Sequence, residues 1–96
     1  MVKVFIRYLG EIRDYMGRNE EVIDIQYQES IKLVELINRL EGKLGRLSDL
    51  IIKHGEIDPT IVIIVNDNVI SHYEFNNIVL KDYSTVIIMP PVGGGS

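Results

Sequence analysis

Ninety-six residues, 46% hydrophobic and 25% charged, are enough for one small globular domain that buries a single core without covalent staples. The absence of cysteine excludes disulfides, thiolate catalysis and cysteine-rich zinc sites. A formal net charge of −4 argues against nonspecific binding to nucleic acid or an anionic membrane. No apolar run is long enough to span a bilayer, and Met1-Val2-Lys3-Val4 leads directly into strand-like sequence without a signal peptide, so the expectation is a cytoplasmic protein.

Val2 to Tyr8 alternates, with Val2, Val4, Ile6 and Tyr8 on one face and Lys3, Phe5 and Arg7 on the other, as in a half-buried strand. Gly10 and Gly17 bracket Glu11 to Met16, a turn or two of helix with Ile12, Tyr15 and Met16 facing inward. Glu21 to Tyr27 alternates again, giving a second strand antiparallel to the first. Ser30 is an N-cap candidate for a main helix over roughly 31–44, whose stripe is Leu33, Val34, Leu36, Ile37, Leu40 and Leu44. Leu47, Leu50 and Ile51 then suggest a short helix closed by Gly55, before Asp58-Pro59 forces an extended restart.

Thr60 to Val65 is β-branched and apolar on both faces, the pattern of a central strand. Asn66-Asp67-Asn68 supplies a tight turn into Val69-Ile70, since these residues tolerate the left-handed region. Residues 71–80 read as irregular with at most a short edge strand, and 81–84 as a turn. Thr85 to Met89 is a last strand, apolar on both faces, running directly into Pro90-Pro91. The fold class is α+β: a mixed four- to five-stranded sheet with one main helix packed on one face.

Pro90-Pro91-Val92-Gly93-Gly94-Gly95-Ser96 sets the boundary of the domain, residues 1–89, from a flexible tail, 90–96. Two prolines end the strand and keep the chain extended, and the glycines strip every Cβ from the tip, so the tail can enter a slot too narrow for other residues. Extended, Pro90 to Gly95 spans roughly 20 Å. A linker or a frayed terminus has the same composition.

One helix covers one sheet face, which leaves Phe5, Ile63, Ile87 and Met89 as candidates for an apolar patch on the other, beside the root of the tail. Two arrangements fit: a docking surface for the partner that takes the tail, or ordinary core beneath a fold-over of 45–58 or 69–80. His54 and His72 have no clustered partners and give no metal site. No Lys-Ser/Thr follows the glycines, so they make no phosphate loop. Arg7, Arg13 and Lys81 read as solvated charges near the tail.

The opening Val-Lys-Val strand, the Gly17-terminated loop, the amphipathic helix, the Val65-Asn66 strand end, the Leu80-Lys81-Asp82 turn and Val86-Ile87-Ile88-Met89-Pro90-Pro91-Val92-Gly93-Gly94-Gly95 together resemble the ubiquitin-like β-grasp sulfur carriers and modifiers. These include the small subunit of molybdopterin synthase (MoaD), the thiamin sulfur carrier ThiS, and the ubiquitin-related and archaeal small modifier proteins. The resemblance covers nearly the whole chain, and its most specific part places the family's terminal diglycine on Gly94 and Gly95. Two departures stand out. Tyr83-Ser84 follows Asp82 where the family has an Asp-Gly-Asp-like turn, and Ser96 follows Gly95. Ser96 is therefore removed by a protease, is an addition from cloning, or marks a chain that is not a donor.

The resemblance implies a carrier rather than an enzyme. With no cofactor bound to this chain itself, a partner E1-like adenylating enzyme, using ATP and magnesium, would activate the Gly95 carboxylate, and a sulfurtransferase persulfide would convert it to a thiocarboxylate. The tail of Pro90, Pro91, Val92, Gly93 and Gly94 would then enter the large subunit of molybdopterin synthase. In the modifier branch, lysine-bearing target proteins would capture the same acyl group. A noncovalent adaptor with an inert tail is the third reading.

Overall fold

The computed structural model describes residues 1–91. In chain order the elements are β1 (Val2–Tyr8), α1 (Gly10–Met16), β2 (Glu20–Ile25), β3 (Ser30–Lys32), α2 (Leu33–Arg39), β4 (Glu41–Gly42), β5 (Gly45–Arg46), α3 (Leu47–Ile51), β6 (Ile52–Lys53), β7 (Glu56–Ile57), β8 (Val62–Val65), β9 (Asn68–Ile70), a 3-10 turn (Phe75–Asn77), β10 (Val79–Lys81) and β11 (Ser84–Met89). Five strands form one mixed sheet in the order β2-β1-β11-β8-β9. β1 and β11 lie parallel at its centre, and the other neighbours are antiparallel. The expected opening hairpin is present, although β2 ends at Ile25 and Tyr27 is almost fully exposed. β8 is flanked by β11 and β9 and so is an interior strand, as its pattern predicts, while β11 holds the middle of the sheet.

One face of this sheet is core. Val2, Val4, Ile6 and Tyr8 are buried along β1, and Ser84, Val86 and Ile88 along β11. Ile12 and Met16 of α1 and Leu33, Leu36 and Ile37 of α2 join the strand side chains in the same buried cluster. Leu47, Ile51 and Ile57 from 45–58, and Phe75 and Leu80 from 69–80, complete it. Both connections thus fill in the core and leave the opposite face of the sheet uncovered.

The main helix is shorter than its periodicity suggests, seven residues rather than fourteen. Ser30 does not cap it: the N-cap is Lys32, without a side-chain hydrogen bond, and Ser30 lies in β3, which pairs with β10. At the other end the chain turns out at Leu40 into the β4–β5 hairpin. Leu40 is still buried there, but Leu44 is 68% exposed. The hairpin tip serves α1, since the N–H groups of Lys43 and Leu44 donate to the carbonyls of Met16 and Tyr15, both at 3.1 Å. These are carbonyls that a helix C-terminus leaves without intrahelical partners. Gly17, at φ 78°, closes α1 as expected. Gly55 does not close α3 but occupies, with His54, the left-handed turn of the β6–β7 hairpin.

A polar bridge ties β1 to the start of β2. The buried Tyr8 hydroxyl donates to Glu21 Oε2, which also accepts from Arg18 Nε at 2.9 Å, and Arg18 Nη2 reaches the Glu41 carbonyl at 2.7 Å. Burial first, then the hydrogen bond to Glu21, pushes the Tyr8 hydroxyl well above the usual tyrosine range. The native state therefore holds this proton where the unfolded chain releases it. The contribution is fully present below about pH 10 and is lost as pH rises beyond it.

Two outcomes follow. Alkaline titration of unfolding free energy should fall by up to about 1.4 kcal/mol per pH unit above pH 10, and Tyr8→Phe should flatten that fall. A Cβ on Gly42 would sit 2.7 Å from the Met16 Cα, whereas one on Gly55 meets nothing within 4 Å. Urea unfolding should accordingly show Gly42→Ala losing about 1–3 kcal/mol, and Gly55→Ala only the left-handed backbone penalty of about 1 kcal/mol.

Candidate functional site

β11 delivers the chain to Pro90. Its last residue, Met89, pairs with Val62, and the Leu9 N–H donates to the Ile88 carbonyl at 3.0 Å, holding the strand end against the start of α1. Pro90 then packs on Gly10, where φ is +58° and a Cβ would stand 2.8 Å from Pro90 Cγ. Conformation and space both require glycine there. Pro90 is half-buried and Pro91 exposed. Val92, Gly93, Gly94, Gly95 and Ser96 lie outside the described residues.

The uncovered sheet face leads to this point. Register places Phe5 beside Val22 and Thr85, and Arg7 beside Glu20 and Ile87. Across the remaining strands Ile87 lies beside Ile64, Ile64 beside Val69, and Met89 beside Val62. The result is an apolar field running from β2 to β9 and reaching Met89. Phe5 is 39% exposed, Val22 52% and Val69 69%. Phe5 stacks on Tyr83, with ring centroids 6.2 Å apart and planes 16° apart.

Of the four residues expected on this face, Phe5, Ile87 and Met89 lie on it. Ile63 does not: it is 3% exposed and points into the core. Side chains alternate along a strand, and Ile64 is the member of β8 opposite Ile87, which puts Ile63 beside Ile88 on the other side. Val22, Ile64, Val69 and Tyr83 belong to the surface and were missed. Alternation carried the signal for Val22, directly opposite Phe5. A strand apolar on both faces offered none for Ile64.

The turn at Tyr83 shapes one margin. Tyr83 takes φ 67°, a strained value for an aromatic residue. It is held by its own N–H donating to the Lys3 carbonyl at 2.7 Å and by the Lys3 N–H donating to Asp82 Oδ1 at 2.8 Å. Arg7 is exposed within the apolar field, and Arg13 lies elsewhere, 3.7 Å from Asp14. Among the described residues there is no group of three His, Asp or Glu able to hold a metal, and no helix long and apolar enough to cross a membrane. The geometry offers an apolar platform that reaches Met89, directly before Pro90-Pro91.

A model of the ThiS family matches residues 6–95. Small archaeal modifier protein 3 of Haloferax volcanii is 23% identical over 90 residues, covering 94% of this chain and 96% of that protein. The solution structure of small archaeal modifier protein 1 from Methanosarcina acetivorans superposes with a TM-score of 0.74 at 26% identity, over 99% of this chain and 98% of that one. A Pyrococcus furiosus protein assigned as subunit 1 of a molybdopterin converting factor gives 0.68 at 26% identity, over 96% of this chain and all of the other.

Gly10→Ala should test how firmly the tail root is seated. Urea unfolding should show a loss of about 1–3 kcal/mol from left-handed strain and the Pro90 contact. Carbon chemical shifts of Pro90 and Pro91 should move while those of β2 stay in place.

Proposed function

The chain belongs to the ThiS family and has the ubiquitin-like β-grasp fold, and on that premise we propose that it is a sulfur carrier whose reacting group is the Gly95 carboxylate. The observation that carries this reading is the family match itself, which extends through Gly94 and Gly95 and stops before Ser96. Supporting it, β11 runs unbroken from the sheet centre into Pro90-Pro91.

A carboxylate is a poor electrophile, and the protein contributes no side chain to change that. Hydrolysis of the Gly95-Ser96 peptide bond first frees the carboxylate. An E1-like enzyme, docked on the apolar face around Phe5 and Ile87, then directs a carboxylate oxygen onto the α-phosphorus of MgATP. Pyrophosphate leaves, and the acyl adenylate carries AMP as a good leaving group. A sulfurtransferase persulfide attacks the carbonyl and AMP departs. A second thiol cleaves the resulting acyl persulfide, forming a disulfide and releasing the thiocarboxylate. The three glycines admit the tail to each active site in turn, because no Cβ widens it. The large subunit of molybdopterin synthase is the acceptor favoured by the Pro-Pro-Val tail.

A second reading has one specific support, the relatives named as small archaeal modifiers. Here a target lysine amine, rather than a persulfide, captures the activated acyl group, leaving an isopeptide bond to Gly95.

Pyrophosphate exchange with an E1-like enzyme separates these readings from a noncovalent adaptor. A chain ending at Gly95 should support exchange, while the 96-residue chain and one ending at Gly93 should not. Phe5→Glu should raise KM at least tenfold with kcat little changed, its fold verified by circular dichroism. Partner binding and activity that survive deletion of Gly94 and Gly95 would make the chain an adaptor. Mass spectrometry then distinguishes a terminus with one oxygen replaced by sulfur from Gly95 remnants on target lysines.

A further inference from the structure

A groove of about 450 Å³ opens between α1, the β4–β5 tip, the end of α3 and the segment leading into β8. It is separate from the uncovered sheet face: Tyr15, Leu44, Leu50 and Ile61 line it, and Pro90-Pro91 close one end. Tyr15, Leu50 and Ile61 are half-buried and Leu44 is 68% exposed, so apolar surface here meets water. The charged side chains lining the groove are all carboxylates, Glu11, Asp14 and Asp58. Asp58 is fixed in place, its Oδ1 accepting from the Thr60 N–H at 2.9 Å and the Thr60 hydroxyl at 2.7 Å. These bonds hold its carboxyl below the usual carboxylate range. Arg13, 3.7 Å from Asp14 with both side chains exposed, and Lys53, whose charge also acts on Asp58, offset the acidity in part.

We propose that this groove docks a cationic, apolar segment of a partner protein, aliphatic side chains seated on Tyr15, Leu50 and Ile61 and lysine or arginine side chains facing Glu11, Asp14 and Asp58. An acidic rim around an apolar floor selects such a segment by complementarity and rejects an acidic one by like-charge repulsion. Because Pro90-Pro91 form the end wall, the bound segment lies beside the point where the chain leaves the sheet. The β4–β5 tip, which holds the end of α1, and α3, whose Leu47 and Ile51 serve the core, thereby gain a use for their exposed residues. The inference rests on the groove's shape and charge and not on the fate of Gly95.

The probe is a fluorescein-labelled peptide of alternating lysine and leucine, titrated with the full chain by anisotropy and followed by nitrogen–proton shift mapping. The lysine peptide should bind and shift Ile12, Tyr15, Leu50 and Ile61, while a peptide with glutamate for lysine should bind at least tenfold more weakly. Leu44→Ser, at an exposed position, should change affinity for the lysine peptide less than Leu50→Ser, which should weaken it at least tenfold with the fold verified by thermal melting. Glu11→Gln with Asp14→Asn should lower affinity severalfold and flatten its salt dependence. Shifts confined to Phe5, Ile64 and Ile87, equal binding of the two peptides, or no groove shifts at millimolar peptide would overturn the proposal. So would a tenfold gain in affinity on truncation after Pro91, which would assign the groove to the chain's own residues 92–96. Exchange at Gly95 can fail without affecting any of these outcomes.

Discussion

The parallel pairing of β1 with β11 is the constraint on which the remaining structure depends. Val4 to Tyr8 run beside Ser84 to Ile88, and two parallel neighbours cannot be joined by a tight turn, so the chain between them must cross over. That crossover supplies the helices, hairpins and remaining strands. The same pairing settles both sheet faces. Once Ile6 and Val86 share the core side, Phe5, Arg7 and Ile87 must share the other. It also places the exit of β11 at the sheet centre, where Tyr8 and Ile63 flank Ile88 on both sides and Val62 pairs with Met89. A tail rooted on an edge strand would inherit the fraying of that edge.

Local pattern made a large part of this legible. Alternation alone identified the buried residues of β1, and Gly17 was read correctly as the stop for α1. The Asn66-Asp67 turn is left-handed at both residues, as their side chains allow. What escaped was long-range. Leu40 and Leu44 keep helical spacing with Leu36 and Ile37, yet the helix ends at Arg39, because residues 41–46 are needed at the C-terminus of α1. Two hydrogen bonds to orphan carbonyls and a close Gly42 contact outweigh one more turn of an amphipathic helix, and no local window contains Met16. Ser30 was drawn into pairing with β10 in the same way. Ile63 shows the limit at the site. In an all-apolar strand, face is decided by register, and a one-residue error moves every side chain to the other side.

Strain is concentrated at the margins of the uncovered face. Tyr83, directly before β11, and Asn66, in the β8–β9 turn against Thr85, both take positive φ. Each is held by specific bonds: Tyr83 by the Lys3 carbonyl and by stacking on Phe5, Asn66 by its Oδ1 accepting from the Thr85 N–H at 2.9 Å. A glycine at 83 would relieve the backbone but remove the ring that extends the apolar field beyond Phe5. Tyr83 at this turn therefore adds surface to the face that its strained backbone borders.

Two surfaces of different chemistry thus converge on Pro90-Pro91. The sheet face is apolar and broad, with Arg7 within it; the groove is narrow, with an acidic rim. A partner on the first meets the tail root through Met89, and a partner on the second through the prolines themselves. Because Gly10 fits under Pro90 without room for a Cβ, the two sides share a rigid joint, which favours one fixed direction of exit. Both surfaces therefore keep a fixed geometry relative to Pro90, whichever of them a partner meets.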